Sequence, residues 1–303
     1  MTDGATGNPS AAVRRQFDGG GGDEAGVRDP LEEERHSPVP GLIQRYPDRA
    51  LVLVTDRCFV ACSFCNRRFF VGTAGDEASP LKPDVPAAFD HLARSPAVRE
   101  VILSGGDPLV LPDAELRYIL ERLRAVPHVE LIRVGTRAPM GRPDRITPET
   151  AAMLARFRPL IVAVHFNHPD ELTAASLEAC GRLVDAGLPV LNQAVLLRGV
   201  NDDPETLSSL FWKLTLRGVR PYYLFQCDRV KGTSRFWVPL HRGIEIVKAL
   251  RESLPGHAMP HFSIDLPGRE GKVWIDPSNP PDRVEGGYLL RGRHVRMFYP
   301  DAP

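Results

Sequence analysis

The segment Leu51-Val52-Leu53-Val54-Thr55-Asp56-Arg57-Cys58-Phe59-Val60-Ala61-Cys62-Ser63-Phe64-Cys65 joins a short, continuously apolar run to three thiols within eight residues. Four apolar side chains in a row, bounded by polar residues, are the pattern of a strand buried on both faces, and such strands belong to parallel sheets covered by helices. Short, mostly apolar runs that read as further buried strands recur at 101–103, 131–134, 160–164, 190–191, 222–225 and 262–264, with Arg133 and Ser263 the polar exceptions. Between them lie stretches with one apolar stripe, such as Leu116, Ile119, Leu120 and Leu123, or Leu207, Leu210, Phe211 and Leu214, at helical spacing. Strand and helix alternate about six times, which predicts an α/β fold, a partial or complete (β/α) barrel of the TIM type, with its chemistry at the C-terminal ends of the strands.

The 303 residues carry 38 Lys plus Arg against 38 Asp plus Glu, a formal charge of zero, so the basic excess that nucleic-acid binding needs is missing. No apolar run is long enough to span a membrane and residues 1–17 hold no apolar signal core, so a cytoplasmic protein without a membrane partner is expected. Residues 1–28 are polar and Gly-rich and are expected to form a disordered arm; 29–283 form the barrel, and 284–303 a tail hairpin turning near Gly292.

Five cysteines without an export signal favour metal or redox use over disulfides. Cys58, Cys62 and Cys65 have the spacing C-x3-C-x2-C on the loop after the first strand. Tetrahedral zinc would want a fourth ligand, which only a distant His could supply; three thiolates suit a [4Fe–4S] cluster with one iron left open. Cys180, on a stripe with Leu177 and Val184, and Cys227 at a strand end read as packing residues.

The cysteine loop resembles that of the radical S-adenosylmethionine (SAM) enzymes, whose barrel and open iron it implies. Ser104-Gly105-Gly106-Asp107-Pro108, after the second strand, resembles the motif that binds the SAM amino group. The resemblance narrows through Gly41-Leu42-Ile43-Gln44-Arg45-Tyr46-Pro47-Asp48-Arg49, Cys65-Asn66-Arg67-Arg68, Gly135-Thr136-Arg137-Ala138-Pro139, His165-Phe166-Asn167-His168-Pro169, Asn192-Gln193, Leu197-Arg198-Gly199-Val200-Asn201-Asp202, Pro221-Tyr222-Tyr223 with Cys227-Asp228, and Asp265-Leu266-Pro267-Gly268-Arg269-Glu270-Gly271-Lys272. Together these are similar to the lysine 2,3-aminomutase family from residue 29 to the tail.

That resemblance implies an isomerase that moves the α-amino group of a basic L-amino acid, L-lysine first, to C3, giving a β-amino acid. Arginine or another basic amino acid is the close alternative, as is the branch that makes β-lysine for elongation factor P; a non-isomerising iron–sulfur protein is the distant one. It implies a [4Fe–4S] cluster on Cys58, Cys62 and Cys65, SAM beside Gly105, Gly106, Asp107, His165 and Gln193, and pyridoxal 5′-phosphate (PLP) on Lys272 with its phosphate at Arg45 and Arg49. Arg67 would bind the substrate carboxylate, and Asp228 with Asp265 the distal ammonium. Two close carboxylates without a cation between them should raise the pKa of one. An electron donor such as flavodoxin or ferredoxin is implied, and a homo-oligomer is left open.

Read singly, Lys272 is a solvated charge, Arg45 and Arg49 pair with nearby acids, each Asp is a turn or cap, and His165 is a buried structural histidine. The chain departs from the family in having no cysteine beyond Cys227, so no zinc is expected; in Asn66 and Phe69, where Thr and Arg are usual; and in Arg269 and Glu270, which interrupt the glycines before Lys272.

Overall fold

The structure, a computed structural model, describes residues 9–19, 23–71 and 79–301. Nine strands form one sheet in chain order: β1 (Leu42–Ile43), β2 (Arg49–Thr55), β3 (Glu100–Gly105), β4 (Leu131–Thr136), β5 (Leu160–Val164), β6 (Val190–Leu196), β7 (Arg220–Gln226), β8 (His261–Leu266) and β9 (Gly271–Trp274). The pairs from β2 to β8 are all parallel, while β1 and β9 add short antiparallel edges. The seven apolar runs are these seven parallel strands. Ladder pairing does not join β1 to β9, so the sheet is a curled, partial barrel.

Parallel neighbours need crossovers, and helices at Val85–Ala93, Asp113–Arg124, Pro148–Ala155, Ala174–Asp185, Pro204–Leu216 and Leu240–Ser253 supply them in turn. Local chemistry starts several of these helices: Thr147 and Asp203 accept backbone N–H bonds as caps, each followed by a proline where the helix has no N–H partner to lose. Leu116, Ile119, Leu120 and Leu123 bury the stripe of one helix, and Leu207, Leu210, Phe211 and Leu214 that of another. These stripes meet Val101, Leu103, Ile132, Val134, Val162 and Val164 of the sheet in one continuous core. Cys180 packs in that core, and Cys227 packs with Leu197, Val200, Phe236 and Trp237.

Residues 1–8 of the arm expected to be disordered over 1–28 lie outside the described residues, and part of the remainder is ordered. Ala11–Arg15 is a helix capped by Ser10, and it buries Val13. Gln16 is fully buried, and its side chain bonds to Glu171, Arg137 and Asn167, so polar contacts order a segment too poor in apolar residues to signal itself. Three residues of the glycine run, 20–22, lie outside the described residues. The tail is a hairpin of β11 (Gly287–Arg291) and β12 (Arg296–Pro300), joined by β10 (Asp282–Val284) as a third strand. Among the described residues no helix is long and apolar enough to cross a membrane.

Leu210 is fully buried and Leu216, on the same helix, is 70% exposed. Leu210→Ala should lower unfolding free energy by about 2–5 kcal/mol and Leu216→Ala by no more than about 0.5 kcal/mol, as measured by urea denaturation.

Candidate active site

The C-terminal ends of the parallel strands open into one cavity of about 380 Å³. Every residue singled out from the sequence lines it: Cys58, Cys62 and Cys65; Gly105, Gly106 and Asp107; His165 and Gln193; Arg45 and Arg49; Arg67; Asp228 and Asp265; and Lys272. The parallel order explains much of the convergence, because each βα loop delivers its residues to the same rim, whereas Arg45 and Arg49 come from just before and at the start of β2, Asp265 from β8 and Lys272 from the antiparallel β9.

The cysteine loop follows β2. Burial and the neighbouring thiols push Cys58 up to about 12 and Cys65 up to about 11, so three thiolates could not share this wall without a metal to neutralise them. Arg137, just beyond β4, donates from Nη1 to Cys62 Sγ at 2.7 Å. Among the described residues no three His, Cys, Asp or Glu side chains converge on one metal ion, the three thiols included. A cluster takes one protein sulfur at each of three irons, so three thiols on one loop suit it.

Gly105 and Gly106 fit a close backbone approach. Gly105 has φ +109°, and a Cβ on Gly106 would lie 2.0 Å from the Arg57 carbonyl oxygen. Asp107, which lines the cavity, also has a structural role. Its carboxylate accepts from Thr136 Oγ1 at 2.7 Å, Arg137 N at 2.8 Å and Leu109 N at 3.0 Å, so it braces the β3 loop against β4 and leaves the loop's backbone to meet a ligand. Burial, then the Arg137 and Arg67 cations, lower His165 to about 4, so its imidazole is neutral.

At the other side of the mouth, Lys272 Nζ lies 2.7 Å from Asp265 Oδ2 and 5.3 Å from the Phe225 ring centroid. Arg45 Nη1 donates to Asp265 Oδ1 at 3.1 Å, and its other nitrogens to the Gly268 and Leu266 carbonyls. Arg45 is therefore first a brace of the turn that carries Lys272. Arg49 pairs with Asp48 and stacks on Tyr46, an exposed arrangement that an incoming anion can displace. The pairing expected of lone arginines is thus present beside their place in the cavity. Although Asp265 is half-buried, Lys272 and Arg45 hold its carboxyl below the ordinary range, whereas burial and the charge of Asp265 push Asp228 up to about 7. The acidic pair behaves as its sequence positions predict.

Arg67 lies on the wall between the cysteine loop and the aspartates and is held by Glu33, a residue the sequence reading passed over because it is one of three consecutive glutamates. Arg137 was visible only as part of a motif; its role emerges with the buried network of Gln16 and Glu171 around it. Asn192 and Asn201 serve the frame: Asn192 bonds both backbone groups of Phe166, and Asn201 bonds the carbonyls of Asn167 and Val195.

The chain matches the radical SAM superfamily over residues 52–210. It is 46% identical over 265 residues to an L-lysine 2,3-aminomutase of Fusobacterium nucleatum, covering 86% of this chain and 62% of that protein. It is 43% identical over 255 residues to a putative L-lysine 2,3-aminomutase of Aquifex aeolicus, covering 84% and 68%. A glutamate 2,3-aminomutase of Clostridioides difficile is 39% identical over 278 residues, covering 91% and 65%. The chain thus spans about two thirds or less of the length of these curated relatives. With that match laid over a cavity where the cysteines, the glycine loop, the lysine and both aspartates meet, the chain belongs to the radical SAM superfamily and, within it, to the lysine 2,3-aminomutase family.

Proposed function

We propose that this chain is a 2,3-aminomutase acting on a basic L-amino acid, L-lysine foremost, with a [4Fe–4S] cluster, SAM and PLP as its cofactors. Membership of the superfamily implies the cluster and SAM; PLP and the substrate are the finer part of the proposal. The observation that carries it is the half-buried pair Asp228 and Asp265 in the same cavity as Lys272, Arg67 and the three cysteines.

Cys58, Cys62 and Cys65 would hold the cluster, the Gly105–Gly106 backbone SAM, and Lys272 with Arg49 and Arg45 PLP. When bound, the cluster with SAM supplies a hydrogen-abstracting radical, and PLP the conjugated ring that lets an amino nitrogen migrate between adjacent carbons. The chain supplies position. Arg67 offers planar donors to a carboxylate, while Asp228 and Asp265 take an ammonium at the far end, so an amino acid is stretched between fixed charges. Lys272 is now the cation on Asp265; once its Nζ is engaged by a cofactor, the substrate ammonium takes over that charge. Tyr222, Tyr223 and Phe225 line the cavity with aromatic surface that limits water around a reactive intermediate. A neutral His165 adds no competing cation.

Anaerobic incubation with SAM, PLP, a strong reductant and a panel of lysine, arginine, ornithine and glutamate, read by mass spectrometry, should give a β-amino acid from a basic substrate and none from glutamate. Product from glutamate alone would overturn the proposal. Borohydride should trap PLP covalently on the wild-type chain and not on Lys272→Ala, as read from intact mass. Asp228→Asn leaves the Arg45–Asp265–Lys272 contacts in place and should raise KM for lysine by roughly 30-fold, the loss expected for one partner of a buried charge pair.

Asp228 also sets a pH dependence. Its folded pKa, about 7, is above the ordinary carboxylate value, so between those values the folded chain keeps a proton that the unfolded chain has lost, and stability falls as pH rises through that window. A bound ammonium needs the deprotonated form, so lysine affinity should rise as pH rises through about 7, a slope that Asp228→Asn should abolish in direct binding measurements.

A further inference from the structure

Glu33 comes from a turn that no strand or crossover helix requires, yet it reaches the cavity wall and is 4% exposed. Glu33 Oε2 accepts from Arg67 Nε at 2.7 Å and Oε1 from Arg67 Nη2 at 2.6 Å, a two-point grip on one edge of the guanidinium. The residue before it, Glu32, has φ +55°, the only left-handed non-glycine among the described residues. The turn is pinned on several sides: Gly268 N donates to Leu31 O, Glu34 N to Asp29 Oδ2, and Ser79 Oγ to Glu34 Oε1. A strained backbone and a buried ion pair both work against folding, and a buried pair is weak support for stability alone. Such costs cluster where a group must be held in place.

The grip is also selective. A guanidinium has five N–H groups, and Glu33 uses the Nε/Nη2 edge, leaving the parallel N–H groups of the Nη1/Nη2 edge. Among the described residues their one partner is Ser104 Oγ, 3.4 Å from Nη1 and near the limit of a hydrogen bond. Two carboxylates can therefore share Arg67, one permanent and one arriving.

We propose that Glu33 is the positioning residue of the carboxylate subsite: it locks Arg67 so that the free edge of the guanidinium meets the substrate α-carboxylate in one orientation. The inference rests on the reading of this cavity as the site of a basic amino acid. Glu33 does not touch substrate in this account; it acts through Arg67. Because Glu33 already balances the charge of Arg67, recognition at this end depends on the shape of a planar carboxylate more than on net attraction, and a ligand without a carboxylate should not sense Glu33 at all.

The test compares two ligands on the anaerobically reconstituted enzyme: L-lysine, and 1,5-diaminopentane, which keeps the distal ammonium and lacks the carboxylate. Equilibrium binding of each would be measured on wild type, Glu33→Gln and Arg67→Lys. Glu33→Gln should weaken L-lysine about tenfold, as for a lost hydrogen bond to a charged group, and leave 1,5-diaminopentane within about twofold. Arg67→Lys should show the same asymmetry. Should Glu33→Gln fail to fold, Glu33→Asp, which keeps the charge and withdraws it by one methylene, takes its place in the comparison. Unchanged lysine binding in Glu33→Gln, or equal weakening of both ligands, overturns the role of Glu33 while leaving the proposed function standing. A wild-type enzyme that binds 1,5-diaminopentane as tightly as lysine overturns it through Arg67. A wild-type enzyme that binds neither ligand sinks the substrate reading and this inference with it.

Discussion

Asp265 holds together two parts of the sheet that backbone pairing leaves apart. Arg45 lies between β1 and β2 at one edge, Asp265 on β8 near the other, and their side chains meet at 3.1 Å. Tyr46 adds to the contact by accepting a hydrogen bond from Lys272 N at 3.1 Å. A closed barrel would bridge these edges with a ladder of peptide groups. Here polar side chains bridge them, and a seam made of charged groups can hold a cofactor and exchange partners, which a ladder cannot.

This explains why the cavity places its charges as it does. The cysteine loop and glycine loop rise from β2 and β3, in the interior of the sheet, where backbone contacts such as Gly106 N to Thr55 O and Asp107 N to Arg57 O fix them rigidly. Lys272, Asp265 and Arg45 sit at the seam, where one ion pair can replace another. In the proposed reaction, rigid elements would thus face the radical chemistry and exchangeable ones the amino group and its cation.

The sequence was readable wherever burial imposes a period. The seven parallel strands announced themselves as apolar runs because the helix-covered face of each is buried, while the other face of several lines the cavity, and both quoted helical stripes are buried to the last residue. The residues that meet in the cavity were readable as a group through motif register. What escaped has a common physical cause, namely contacts between residues distant in sequence. Nothing local marks Glu33 among its neighbouring glutamates as the partner of Arg67. Ser10 and Val13 are too few to signal a docked helix. The sequence around Asp107 does not show that Thr136 and the Arg137 backbone take up its oxygens. Whether the curled sheet closes depends on strand tilt and stagger, which apolar periodicity does not encode.

The buried side chain of Gln16 bears on how the molecule assembles. Its partner Glu171 is 155 residues away along the chain, so their contact closes a very long loop and carries the entropy loss that such closure entails. Neighbouring strand–helix units have far less distance to search and are favoured to form first. The segment around Gln16 is therefore among the last to find its partners. It docks on Glu171, Arg137 and Asn167 once the strands and loops that present them already stand.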